Sequence, residues 1–136
     1  MSSRLNPYLT FPGNARQAME FYRSVFGGSL DMNTFAELGG DQAPDPENIM
    51  HGMLETDAGY TLMGADPAPG QEHQPGNNFA VSLSGDDADQ LRGYWEKLCE
   101  GGTVSVPLEK QMWGDEFGMC VDRFGISWMV NIAGQG

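Results

Sequence analysis

The chain states one pattern twice, and that repetition limits what it can fold into more than any other feature. NARQAMEFYRSVFGG begins at Asn14 and DADQLRGYWEKLCEGG begins at Asp87. Apolar residues stand at Ala15, Ala18, Tyr22 and Val25, and again at Ala88, Leu91, Trp95 and Leu98, each pair 73 positions apart. Spacings of three and four put such residues on one face of a helix. Asn14 and Asp87, also 73 apart, are residue types that cap a helix N-terminus. A second echo closes each half. Gly59 precedes YTLMG, Gly125 precedes the ISWMVN run, and the shift of 66 that superposes the glycines also lays Met63 on Met129. The smaller shift places surplus residues in the first half, where LGGDQAPDPEN (38–48) reads as a long polar loop. A chain built as two similar halves can close a pocket between them.

Period and punctuation give the elements. Leu5–Phe11 reads as a strand, and Ala15 to about Phe26 as a helix stopped by Gly27 and Gly28. Ser29–Glu37 reads as a strand, and Met50–Thr56 with Tyr60–Ala65 as a hairpin turning at Asp57-Ala58-Gly59. The order then repeats: strand Phe79–Leu83, helix Ala88 to about Glu100, strand Thr103–Lys110, and Phe117–Val121 paired with Ser127–Ile132. Each half is βαβββ. The expectation is an α+β fold of two tandem modules, about 4–66 and 78–133, joined by a Pro/Gly-rich linker at 67–77 and forming a curved mixed-sheet cleft.

At 136 residues this is one ordinary domain. Seven Lys and Arg against 19 Asp and Glu give a net charge of −12. Such a surface repels phosphate backbones and anionic bilayers, so neither nucleic acid nor membrane is an expected partner. There is no apolar run of membrane-spanning length, and MSSRLNPYLTF lacks the apolar stretch of a signal peptide. Cys99 and Cys120, without CxxC spacing, read as reduced core thiols. Together these readings fit a cytoplasmic protein.

PYLTF-x-GNA-x-x-AMEFY-x-x-VFGG near the start, MHGMLE in the middle and WG-x-x-FG-x-x-x-D-x-FG-x-x-WM-x-N at the end resemble the PhnB-like branch of the vicinal oxygen chelate superfamily. That superfamily includes glyoxalase I, extradiol dioxygenases and the bleomycin- and fosfomycin-resistance proteins. The resemblance runs from Asn6 to Ile132 and implies two βαβββ modules whose sheets make a cleft, usually in a homodimer. It also implies four metal ligands, one on the first and one on the last strand of each module. Those positions correspond here to Asn6 or Pro7, Met63, Asn78 and Met129. Proline cannot ligate, asparagine is a weak neutral donor, and thioethers are poor ligands for zinc, nickel, manganese or magnesium. No metal and no cofactor are therefore expected. Related domains carry a ubiquinone methyltransferase label, but no Gly-rich turn follows a strand here to hold a nucleotide cofactor.

The candidate ligand-binding residues are His51, Met63, Asn78, Gln111, Trp113 and Met129. The methionines and Trp113 would line an adaptable apolar pocket, with the polar side chains orienting its occupant. His51 also reads as an ordinary hydrogen-bonded core histidine, and Trp128, out of phase with Met129, as a core residue against a helix. Two functions stay open. One is a metal-free module that binds and sequesters a small molecule of cationic or apolar character. The other is an enzyme using His51 with Glu37 or Glu55, although no nucleophile–base pair is recognisable in the sequence.

Overall fold

The computed structural model describes residues 3–38 and 45–134. In chain order the elements are β1 (Tyr8–Thr10), α1 (Ala15–Phe26), β2 (Ser29–Thr34), β3 (Ile49–Glu55), β4 (Thr61–Ala65), β5 (Val81–Gly85), α2 (Ala88–Cys99), β6 (Thr103–Lys110), β7 (Glu116–Val121) and β8 (Ser127–Ile132). The chain divides into two compact units, Met1–Pro75 and Gly76–Gly136, each with the order βαβββ. Each unit holds one four-stranded mixed sheet, β1-β4-β3-β2 in the first and β5-β8-β7-β6 in the second. First and last strands of a module pair in parallel, and the two hairpin contacts are antiparallel. The helix supplies the crossover that a parallel pair needs, and the hairpins fold back until the last strand reaches the first.

The α1 stripe is buried as its spacing requires; on α2 the expected Leu91 and Leu98 are buried, Ala88 and Trp95 are half-buried, and Tyr94 is buried in addition. Ala15, Ala18, Met19, Tyr22, Val25 and Phe26 face inward on α1, and Leu91, Tyr94 and Leu98 on α2. Under α1 lie Leu9, Leu54 and Leu62, and under α2 lie Leu83, Trp128, Val130 and Ile132, all buried. The shift of 66 is a structural repeat. Thr56 N donates to Tyr60 O at 2.9 Å and Gly59 N to Thr56 O at 3.0 Å, while Asp122 N donates to Ile126 O at 2.9 Å and Gly125 N to Asp122 O at 3.0 Å. The paired glycines after each helix are also required by backbone approach. A Cβ on Gly28 would overlap the Glu55 carbonyl, and one on Gly102 would overlap the Val121 carbonyl.

Four sequence expectations are corrected. β1 covers three residues rather than Leu5–Phe11, although the Pro7 carbonyl still accepts from Met63 N at 3.1 Å. β5 begins at Val81 rather than Phe79, whose ring is exposed. β2 ends at Thr34 instead of running to Glu37. There Thr34 Oγ1 accepts from Glu37 N at 3.0 Å and Glu37 Oε1 accepts from Thr34 N at 3.2 Å, the reciprocal bonds of a T-x-x-E capping box. Asn14 makes no side-chain cap bond. The Asp66 carboxylate, arriving from the end of β4, accepts from Gly13 N at 3.0 Å and Ala15 N at 2.9 Å instead. Asp87 does cap α2, accepting from Gln90 N at 3.1 Å. Of the long loop expected at 38–48, residues 39–44 lie outside the described residues. Among the described residues no helix is long and apolar enough to cross a membrane.

Cys99 and Cys120 are both free thiols, within hydrogen-bonding reach of each other between α2 and β7. Burial pushes the Cys99 thiol up; burial first, and then the neighbouring Cys99, pushes Cys120 up to about 12. An ordinary thiol titrates near about 8.5. The unfolded chain therefore ionises first as pH rises, so stability from these thiols is intact below about pH 8.5 and is lost as pH climbs toward 12. Iodoacetamide at pH 8 should leave Cys120 of the native protein unmodified and alkylate both thiols in urea. Native Cys120 reacting as fast as a free thiol would contradict this.

Candidate functional site

Strand pairing decides which side chains share a face. In module one Tyr8, Met63, Met53 and Asp31 are register partners across all four strands. In the alternate row a Cβ on Gly64 would lie 2.9 Å from Met19 Sδ, and one on Gly52 would lie 3.6 Å from Met19 Cγ. The alternate row therefore packs on α1, and the methionine row points to the opposite face. His51, two residues before Met53, shares that face and pairs with Asn33. Its ring centroid lies 5.9 Å from that of Tyr8.

Module two repeats the arrangement. Ser82, Met129, Met119 and Val106 form the corresponding row. Here a Cβ on Gly118 would lie 2.8 Å from Trp95 Cη2, so α2 covers the other side. The next row on the methionine face holds Ser84, Asn131, Phe117 and Glu109. Trp113 lies in the β6–β7 turn, 62% exposed, with its ring edge-on to Phe117 at 6.1 Å. Beside that turn a groove of about 490 Å³ is lined by Ala88, Arg92, Lys110, Trp113, Asp115 and Ile132, among others. Arg92 is paired with Glu116 across it. Asp115 accepts from Asn131 Nδ2 at 2.9 Å and Gly134 N at 2.8 Å. The Asn131 bond, then the Gly134 bond, holds the Asp115 carboxyl below its usual range.

The candidate residues are thus distributed as follows. His51 and Met63 share a face in module one, and Met129 shares one with Phe117, against which Trp113 rests, in module two. Asn78 is exposed and precedes β5, so Ser82, rather than Asn78, stands opposite Met129. Tyr8 likewise takes the place opposite Met63 that Asn6 or Pro7 was expected to hold. The Gln111 amide donates back to the Glu109 carbonyl at 2.9 Å. Met53 and Met119 were missed as site residues, yet they too are 66 apart, so extending the Met63–Met129 repeat to the adjoining strand would have found them.

This donor set does not fit a hard divalent ion. The first- and last-strand positions are Tyr8 and Met63 in one module and Ser82 and Met129 in the other. Among the described residues no three His, Cys, Asp or Glu side chains gather as a ligand group. For an acid–base role, Glu37 is tied to Thr34 N. Glu55 lies four residues along β3 from His51, roughly 13 Å at the usual strand rise.

Comparison with known proteins places this arrangement. The family described as 3-demethylubiquinone-9 3-methyltransferase matches residues 3–131. The crystal structure of protein PA1353 from Pseudomonas aeruginosa is 34% identical, with a TM-score of 0.87 over 98% of this chain and 100% of that one. A putative 3-demethylubiquinone-9 3-methyltransferase, PhnB protein, from Bacillus cereus is 20% identical, with a TM-score of 0.76 over 96% and 100%. A glyoxylase/bleomycin resistance protein/dioxygenase domain from Frankia sp. EAN1pec shares the fold at 13% identity, with a TM-score of 0.67 over 100% and 95%. With its two mixed four-stranded sheets, each carrying one helix, the chain belongs to the family described as 3-demethylubiquinone-9 3-methyltransferase and shares the fold of the PhnB protein and of the glyoxylase/bleomycin resistance protein/dioxygenase domain.

Proposed function

We propose that this protein is a cytoplasmic homodimer that binds a small organic molecule of apolar or cationic character, holds it without transforming it, and uses no hard divalent metal ion. The residues assigned to ligand contact are His51 and Met63 in module one and, separately, Asn78, Gln111, Trp113 and Met129 in module two. One observation carries the reading. At the last-strand position of both modules, where the superfamily's chemistry needs a nitrogen or oxygen donor, a thioether faces a second thioether, Met63 against Met53 and Met129 against Met119. Such faces are apolar and adaptable, since methionine has three rotatable bonds and a polarisable sulfur. The net charge of −12 favours a cationic over an anionic occupant. Methyl transfer, which the family's description names, has no support here. Each sheet is mixed rather than doubly wound and parallel, and no Gly-rich turn opens a helix after a strand.

Native mass spectrometry of the protein as purified should show a co-purifying organic ligand, or one captured from a metabolite extract, at one per chain. That ligand should quench tryptophan fluorescence, and Trp113→Phe should remove most of the change. Met129→Glu should weaken an apolar ligand by about tenfold or more, because it sets a charge in an apolar face. Light scattering at micromolar concentration should give about twice 14.8 kDa. Unchanged affinity in Met129→Glu, or a monomer at high concentration, would contradict the respective part of the proposal.

A further inference from the structure

The side chains that disqualify module one for a hard cation suit a soft one. Met53 and Met63 are direct register partners on adjacent antiparallel strands, and both are half-buried. Such partners carry Cβ atoms about 4.5–5.5 Å apart, close enough for both sulfurs to reach one point. His51 is the third donor. It shares the face of Met53, two residues away on β3. Its ring reaches to within 5.9 Å of Tyr8, which stands on β1, beyond β4 in the sheet. The two rings therefore approach each other across β4, the strand that carries Met63. Two thioethers and one imidazole are neutral, soft-to-borderline donors, the set that selects a monovalent d10 ion over magnesium, manganese or zinc.

The surroundings agree in charge. Asp31 ends the Tyr8–Met63–Met53 row, so a carboxylate stands beside the donors. The chain as a whole carries −12. The face of the Tyr8 ring adds a surface that attracts cations. Module two supplies an internal control. Met119 and Met129 are opposed in the same way, but the residue 66 positions on from His51 is Phe117, which has no donor. One site per chain is expected, not two.

We infer that His51, Met53 and Met63 form a binding site for a soft monovalent cation of the copper(I) and silver(I) class. This goes beyond the organic-ligand reading, with which it shares His51 and Met63 but not Met53, Met129 or Trp113.

The test uses the full-length reduced protein with 13C-labelled methionine methyl groups, titrated with silver(I) and followed by NMR. The methyl signals of Met53 and Met63 and the ring signals of His51 should shift together and saturate at one equivalent. Met119 and Met129 should not shift with them. The volume-conserving double change Met53→Leu with Met63→Leu should lower affinity by more than about tenfold while leaving the silver-free melting temperature within a few degrees. His51→Phe, which copies module two, should do the same. Competition against a copper(I) chelator under anaerobic reducing conditions should give the same ranking of variants. If the first equivalent of silver goes to Cys99 and Cys120 while Met53 and Met63 stay unmoved, the inference is overturned. It is overturned equally if the double leucine variant binds silver as tightly as the parent.

Discussion

Replacing Asp66 with alanine is expected to cost about 3–5 kcal/mol of folding free energy. Asp66 is buried, 5% exposed, and its carboxylate serves three backbone donors. Oδ1 accepts from Gly13 N at 3.0 Å and Ala15 N at 2.9 Å, and Oδ2 from Ile49 N at 2.8 Å. One side chain thus ties the end of β4 to the start of α1 and the start of β3. It also sets a negative charge at the positive end of a helix. A hydrogen bond to a charged group is worth about 1.5–3 kcal/mol, and a buried donor left alone forfeits its desolvation energy as well. Ala15 and Ile49 are buried and bear that cost in full, whereas exposed Gly13 can turn to water. Asp66→Asn keeps the shape and one acceptor but points its amide hydrogens at the remaining donor, so about half the loss is expected. Urea unfolding should show a lower midpoint at an unchanged slope. A loss below about 1 kcal/mol in Asp66→Ala would contradict the assignment.

Asp122→Ala is expected to cost nearly as much, about 3–4 kcal/mol, for a different reason. Asp122 Oδ1 accepts from Phe124 N at 2.8 Å and Ile126 N at 3.1 Å, which shapes the β7–β8 turn. Its Oδ2 accepts from Trp128 Nε1 at 2.8 Å. Trp128 is 1% exposed, so its indole N–H would be left in the core without this carboxylate. Trp128→Phe removes the donor together with part of the packing and should be milder than Asp122→Ala. The repeat supplies a comparison. The residue 66 positions earlier is Thr56, whose Oγ1 accepts from Tyr60 N at 2.9 Å in the matching turn. Thr56→Ala should therefore cost about 1 kcal/mol. If Thr56→Ala and Asp122→Ala prove equal, the indole bond is not the source of the difference.

The elements that sequence reasoning placed well are those fixed by local period and local turns. α1, β6 and β8 have the expected bounds, and both closing hairpins turn at the expected glycines. All but one of the misses come from a partner distant in sequence or a tertiary limit on a locally plausible run. Asn14 has a capping residue's side chain, yet its Oδ1 is buried without a partner among the described residues because Asp66, from the far end of the module, already holds the donors around it. Phe79 has strand character, but pairing with β8 begins only at Val81. The end of β2 was different, because its T-x-x-E signal stood in the sequence and was overrun by an apolar pattern. At the candidate site, the 66-residue shift foretold that Met63 and Met129 hold equivalent places. It could not foretell that Tyr8 and Ser82 stand opposite them, because a parallel pair has no connecting turn to set its register.

The central proposal is that thioether-bearing faces, Met53 with Met63 and Met119 with Met129, stand where the vicinal oxygen chelate proteins that the sequence resembles would hold a metal ion. Met63, Met129, Tyr8 and Ser82 offer no set of hard donors, Glu37 is bonded to Thr34 N, and Glu55 stands four residues along β3 from His51. Elemental analysis of the protein after dialysis without a chelator tests this most directly. The expected result is well below one zinc, nickel or manganese ion per chain, with no gain in melting temperature when those ions are added. About one such ion per chain, lost when Met63 or Met129 is replaced by leucine, would contradict the account.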